Sequence, residues 1–308
     1  MKHLNKIYVA GHRGMIGTAL LRAFKERGLP KPITATRKEV DLTKQAKTAR
    51  FIETNRPDTI IIAAAKAGRV DTNQSERSSF LYENLMIASN VIHAARQLGV
   101  QRVLFLGKTC IYPHMAPQPI QESALLTSEL EPTKEGYSLA QIAGLKLCQY
   151  YREETGLCYH SAITTNLYGS GDSYNPQNSH VIPALIRKFE EARLANKNEV
   201  PVWGSGTQLR EFLHVDDLAQ ALLFLLELQN PPDLVNIGSG EECTIRDLAL
   251  MIKDATGCKA KLIFDSSIPD GTQRKLSDTT LLRKLGWKPK VKLREGIQAT
   301  IADYRTKS

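Results

Sequence analysis

The chain has 308 residues, enough for about two domains and a full hydrophobic core without disulfides or metal. Its 42% apolar and 24% charged residues, with 20 Gly and 14 Pro, exclude collagen, coiled coil and intrinsic disorder. The 41 basic against 32 acidic residues leave a net charge of +9, spread along the chain, so a phosphorylated small molecule fits the surplus at least as well as nucleic acid.

Strand-like runs alternate with helical periodicity from the start. Ile7-Tyr8-Val9-Ala10 reads as a strand, residues 15–26 as an amphipathic helix, Ile33-Thr34-Ala35-Thr36 as a strand and 44–53 as a helix. Ile60-Ile61-Ile62 follows as a strand, then helix 80–97, strand Val103-Leu104-Phe105-Leu106, helix 137–154 and strand 159–164. Strict alternation implies right-handed crossovers and a parallel sheet covered on both faces. The expected fold is therefore α/β, a Rossmann-type doubly wound sheet.

Beyond Gly169 the pattern loosens. Gly and Asn interrupt residues 170–179, helix 181–194 follows, and Val200-Pro201-Val202-Trp203 is a short extended segment. Residues 170–214 and 241–308 are expected to form a smaller substrate lobe. Within 215–240, the apolar helix 216–228 and the strand Leu234-Val235-Asn236-Ile237 are expected to return to the first domain, residues 1–169. No internal repeat is visible.

Cys110, Cys148, Cys158, Cys243 and Cys258 are odd in number and lack CxxC spacing, which indicates neither a disulfide framework nor a zinc site. No apolar run approaches the roughly 18 residues of a membrane span. A cytoplasmic protein that uses neither metal nor membrane nor nucleic acid is the expectation.

Gly11-His12-Arg13-Gly14-Met15-Ile16-Gly17 directly follows the first strand and opens the first helix. Glycines at this spacing turn the chain tightly, let the backbone approach a pyrophosphate, and place it at the positive helix end. Where an NAD site would offer an acid to the ribose, Thr34-Ala35-Thr36-Arg37-Lys38 offers Arg37 instead. Arg13 and Arg37 flanking a 2′-phosphate favour NADP(H) over NAD.

Four segments carry a wider likeness: the glycine loop with its internal His-Arg, residues 63–68, Gly107-Lys108-Thr109-Cys110-Ile111-Tyr112-Pro113, and Thr165-Asn166-Leu167-Tyr168-Gly169. Together they resemble the extended short-chain dehydrogenase/reductases, and within these the GDP-L-fucose synthases. Residues 178–185, Trp203-Gly204-Ser205-Gly206-Thr207, 210–217 and 269–272 continue the likeness almost to the C-terminus.

The resemblance implies epimerisation of GDP-4-keto-6-deoxy-mannose at C3 and C5, then NADPH-dependent reduction of the C4 ketone. Carbons beside a ketone release protons because the carbanion delocalises as an enolate, so an acid and a base on opposite faces invert the centre. Cys110 and His180 fall on the family's positions for that pair. Tyr137 falls on the proton donor of the Y-x-x-x-K motif, but the motif here reads Tyr137-Ser138-Leu139-Ala140-Gln141. Gln141 thus replaces the lysine that would sit one helical turn away, and Lys108 replaces the serine that would bond the same carbonyl.

The family's cofactor contacts carry onto the glycine loop, onto Arg37, Asp41, Leu42 and Ala64, onto Leu106, Gly107, Lys108 and Gln141, and onto Thr164, Asn166, Leu167 and His180. Its contacts to the GDP-sugar carry onto Lys188, Trp203, Arg210 and Asp270. Helices 80–97 and 137–154 resemble the pair that builds a homodimer in that family. Two alternatives stay open: an epimerase or reductase of a related nucleotide 4-keto sugar, and a catalytically impaired NADP-binding homologue. A dehydratase is disfavoured, since Lys108-Thr109-Cys110 lacks paired acids after the serine or threonine.

Overall fold

The computed structural model describes residues 5–66, 68, 75–176, 179–267 and 270–307. Ala67, Asn178 and Pro269 of the motif segments lie outside the described residues. The first elements are β1 (Ile7–Ala10), α1 (Met15–Glu26), α2 (Gln45–Asn55), β2 (Thr59–Ile62), α3 (Arg77–Gln97), β3 (Arg102–Lys108), α4 (Glu135–Thr155), β4 (Cys158–Thr164) and β5 (Asn166–Tyr168). After them come α5 (Val181–Leu194), β6 (Glu199–Trp203), β7 (Leu209–His214), α6 (Val215–Glu227), β8 (Leu234–Ile237), β9 (Glu242–Thr244), α7 (Ile245–Thr256), β10 (Lys261–Asp265), β11 (Arg274–Lys275), α8 (Thr280–Lys284) and α9 (Leu293–Lys307).

Five parallel strands run in the order β1-β2-β3-β4-β8, so the fold is the Rossmann-type sheet that the alternation implied. Successive side chains of each strand serve opposite faces. Ile7, Val9, Ile61, Leu104 and Val235 pack against α1 and α6, whereas Tyr8, Ala10, Ile60, Val103 and Phe105 pack against α2, α3 and α4. Fully buried leucines of α6, such as Leu218 and Leu222, each contribute roughly 1.5–3 kcal/mol of burial energy.

The expected strand at residues 33–36 is a single bridge between Ile33 and Tyr8. Ile33 donates to the Ile7 carbonyl at 2.7 Å and accepts from Val9 at 3.0 Å. Pro30 and Pro32 have no N–H to give, and a turn begins at Thr36, whose amide is taken by the Glu39 carboxylate at 2.6 Å.

A second core holds Tyr168, Ile182, Ile186 and Phe189 against Leu248, Ile252, Ile297 and Ile301. Its sheets are β5 and β11 on either side of β7, with β9 also on β7, and the pair β6 and β10. β4 is followed directly by β5, so one continuous stretch links the two sheets and the C-terminal rim of the first faces this core. Among the described residues no helix is long and apolar enough to cross a membrane.

Candidate active site

The glycine loop is shaped by contact. Gly11 has φ +87°, and a Cβ there would stand 2.6 Å from the Ala64 amide nitrogen. A Cβ on Gly17 would stand 2.3 Å from the Gly11 carbonyl oxygen, whereas one on Gly14 would meet that oxygen at an ordinary 3.5 Å. Gly14 caps α1 with no side-chain hydrogen bond, and the first turn carries no acid. The opening amides of α1 therefore present an uncompensated positive end. Beside them His12 Nδ1 is buried without a hydrogen-bond partner. A tight backbone cradle, an open helix start and an orphaned ring nitrogen fit a bound dinucleotide diphosphate. Met15 and Ile16 pack under the loop on the first core.

At the adenosine end, Arg13 is exposed and makes no ion pair with any described residue. Arg37 is exposed as well, but its Nη2 donates to Glu83 of α3 at 3.2 Å and its Nε lies 4.0 Å from Asp41. The Lys66 ammonium, at 3.0 Å, holds the Glu83 carboxyl below the usual range. Burial pushes Asp41 up, but the Thr43 hydroxyl and amide outweigh it and the net shift is down. No acid stands within residues 34–38 themselves, but Glu83 of α3 comes to Arg37 from a different element. Leu42 is buried, its carbonyl accepting from Asn90 at 2.9 Å.

β3 ends at Lys108, and a turn at Thr109–Ile111 carries Cys110. Cys110 and Tyr137 are buried together with Phe80, and Ser138 Oγ donates to the Cys110 carbonyl at 2.8 Å, tying the turn to α4. Burial, reinforced by Cys110, pushes the Tyr137 phenol far above its ordinary value. One turn along α4, Gln141 is buried with its Oε1 unpartnered. No cation on α4 stands where the tyrosine would use one.

Lys108 ends β3 two residues before Cys110. Burial pulls the Lys108 pKa down; Cys110 opposes this, Lys134 adds to it, and Asp172 opposes it. Lys108 is in register with Thr164 of β4, whose hydroxyl donates to the Gly107 carbonyl at 3.2 Å. Leu106 and Leu167 are core residues, and Asn166 donates to the Glu211 carbonyl at 2.9 Å. His180 is exposed at the N-cap of α5, across on the second core.

The four residues expected to meet the sugar nucleotide all lie on the second core's elements or the loop before β11. Lys188 donates to the Pro201 carbonyl at 3.0 Å, and its ammonium sits 4.9 Å from the half-exposed Trp203 ring. Asp270 accepts from the Ser205 amide and hydroxyl, both at 2.7 Å, closing the turn after Gly204. Arg210 donates to the Leu209 carbonyl at 2.8 Å; burial lowers its pKa against the pull of Glu131 and Asp270.

Two charged groups near this end of the sheet lie outside the sequence motifs. Asp172 ends a turn in which Gly169 and Gly171 both take positive φ, and burial pushes its carboxyl up to about 6, with a hydrogen bond from the Ser173 amide and the charge of Lys108 pulling it back. The Gly-Ser-Gly-Asp run just past a parallel strand is a weak signal that could have found it, since such sheets bind ligands at their C-terminal ends, but it does not show what the turn packs against. Lys275 of β11 is in register with Arg210; burial lowers its pKa while Cys110 opposes the shift.

Fold and glycine loop together define a Rossmann-type enzyme that binds a nicotinamide dinucleotide in its sheet domain. The model of the NAD dependent epimerase/dehydratase family matches residues 7–238. GDP-L-fucose synthase 1 of Arabidopsis thaliana is 51% identical over 299 residues, covering 97% of this chain and 93% of the relative. GDP-L-fucose synthase of Escherichia coli is 46% identical, covering 96% and 95%. Among solved structures, a GDP-mannoheptose C4 reductase from Campylobacter jejuni with NADP bound superposes with a TM-score of 0.90 at 33% identity, covering 99% of each chain. The chain belongs to the NAD dependent epimerase/dehydratase family, and the likeness to the GDP-L-fucose synthases drawn from its motifs is borne out.

Proposed function

We propose that this chain is an NADPH-dependent epimerase and reductase of a GDP-4-keto-6-deoxy sugar, inverting C3 and C5 before the C4 ketone is reduced. The observation that carries the reading is the joint burial of Cys110 and Tyr137, with Cys110 on the turn that follows Lys108 at the C-terminal end of β3. When bound, the nicotinamide supplies the hydride for C4. Arg13 and Arg37 favour the 2′-phosphorylated form of the cofactor.

Cys110 and His180 exchange protons at the carbons flanking the ketone. Lys108 stands where the family's serine would meet the ketone oxygen and stabilises the charge that develops there as enolate or alkoxide. Tyr137, with Gln141 in place of a cation one turn along its helix, donates a hydrogen bond to that oxygen. Residues 170–214 and 241–308 form the lobe that holds the sugar nucleotide, with Lys188, Trp203, Arg210 and Asp270 on the GDP side. The protein works as a cytoplasmic homodimer. Deuterium uptake at C3 and C5 from heavy water, followed by NADPH consumption, tests the reading.

A second reading, an epimerase with impaired reduction, is favoured by Gln141 at the lysine position of the Y-x-x-x-K motif. It predicts deuterium uptake with little NADPH consumption.

A further inference from the structure

One carboxylate on α3 joins two cations that arrive from different segments. Arg37 Nη2 donates to one oxygen of Glu83 at 3.2 Å, and Arg37 Nε lies 4.0 Å from Asp41. The other Glu83 oxygen accepts from the Lys66 ammonium at 3.0 Å and from the Ser79 hydroxyl at 2.9 Å. Lys66 also reaches the Glu76 carboxylate at 2.9 Å.

The bridge is tied to the glycine loop through the backbone. Ala64, whose amide nitrogen is the atom nearest to a Cβ built on Gly11, stands two residues before Lys66. The Lys66 amide donates to Asn84 Oδ1 at 2.7 Å, and the Lys66 carbonyl accepts from Asn84 Nδ2 at 3.0 Å. Asn84 follows Glu83 directly on α3, so Glu83 is fixed relative to the loop. Its side chain is 22% exposed, against 72% for Arg37.

An exposed arginine gives up much rotamer freedom when a phosphate immobilises it, and a contact that holds it beforehand removes part of that cost. Among the described residues Arg37 makes no hydrogen bond other than the one to Glu83, which leaves N–H groups of the guanidinium for a ligand. Both Glu83 oxygens are engaged by Arg37, Lys66 and Ser79, so this acid is not the ribose acceptor that an NAD site uses. An uncompensated carboxylate would repel a phosphate nearby. Here Lys66 supplies the opposing charge, and its bond holds the Glu83 carboxyl below the usual range.

We propose that Glu83, charge-balanced by Lys66, is the positioning residue that holds Arg37 ready for a 2′-phosphate and so sets the preference for NADPH over NADH. It acts through Arg37 and does not itself touch the cofactor. The inference rests on the 2′-phosphorylated cofactor proposed above and adds the group that tunes its selection.

Titration calorimetry of the whole protein with NADPH and with NADH, without sugar substrate, tests it. Glu83→Gln, which keeps the shape and removes the charge, should lower the NADPH over NADH affinity ratio about threefold or more, the loss falling on NADPH. In an Arg37→Ala background the same change should leave the ratio where Arg37→Ala alone puts it, because a positioning residue has no effect without the group it positions. Lys66→Met, which leaves the carboxylate uncompensated, should lower the ratio as well. A structural role alone would weaken both cofactors alike, and that result would overturn the proposal. A ratio that rises in Glu83→Gln would also overturn it, since the carboxylate would then be competing with the phosphate for Arg37. Equal effects of Glu83→Gln with and without Arg37, or a ratio unmoved by Lys66→Met, would do the same. If the unmodified protein binds NADPH and NADH equally, the proposed cofactor falls and the inference with it; a preference that Glu83→Gln leaves intact overturns the inference alone.

Discussion

Gly17 admits no side chain, because its Cβ would fall 2.3 Å from the Gly11 carbonyl oxygen, an atom of the cradle itself. Gly17→Ala is expected to cost about 1–3 kcal/mol of stability and to weaken dinucleotide binding, read by thermal unfolding and titration calorimetry. Gly14→Ala should be far milder. Arg37→Ala should reduce the NADPH over NADH affinity ratio about tenfold or more, since a charge-assisted bond to a phosphate is worth roughly 1.5–3 kcal/mol; an unchanged ratio would count against a 2′-phosphate contact. Asp172 makes stability depend on pH. Its folded pKa of about 6 lies above the ordinary 3.8, so the native state binds the extra proton, and stability is lost as pH rises from 3.8 through 6. Asp172→Asn removes that loss and should be more stable than the unmodified protein by roughly 1–3 kcal/mol at pH 7.5 but not at pH 4. Denaturant unfolding at the two pH values checks it.

At this scale the sequence was legible where a motif is local. Gly11 and Gly17, or Tyr137 and Gln141, lie within one turn or one loop, and their spacing is fixed by backbone geometry. Asp172, Lys275 and Glu83 were not legible, because they reach the cleft from distant segments through strand register and helix packing. The pattern of one element does not show what another brings to it.

Elements were read well where both faces of a strand or one face of a helix had to be apolar. α1 and α5 begin and end where periodicity placed them, and β8 joins the sheet as its apolar run implied. The segment at Ile33 misled because its β-branched residues look extended, whereas prolines before it and the turn after it leave one bridge. The pairing of α3 and α4 depends on Gly144, where a Cβ would come within 2.9 Å of Ala88 and 2.8 Å of the Phe105 ring. That close packing still leaves Tyr82, Leu139 and Tyr150 of these two helices exposed. A homodimer joined through α3 and α4 would cover them. Light scattering at micromolar concentration is expected to give twice the chain mass, and Leu139→Glu with Tyr82→Glu to give the monomer; a monomeric unmodified protein would contradict the assembly.

For the whole molecule, the surplus of nine positive charges and the cations of the cleft, Lys108, Lys134, Arg210 and Lys275, suit an anionic substrate on the rim between the two cores. Lys108→Met should slow proton exchange on such a substrate by about 10²-fold or more, the usual worth of a positioned charge or proton donor. On the proposed function, this rim inverts C3 and C5 of a GDP-4-keto-6-deoxy sugar before its ketone is reduced. Mixing the protein with GDP-4-keto-6-deoxy-mannose and NADPH in heavy water, and reading the product by NMR, tests it most directly. Deuterium at both C3 and C5 with NADPH consumed is the predicted result; NADPH consumed with neither carbon labelled would contradict it.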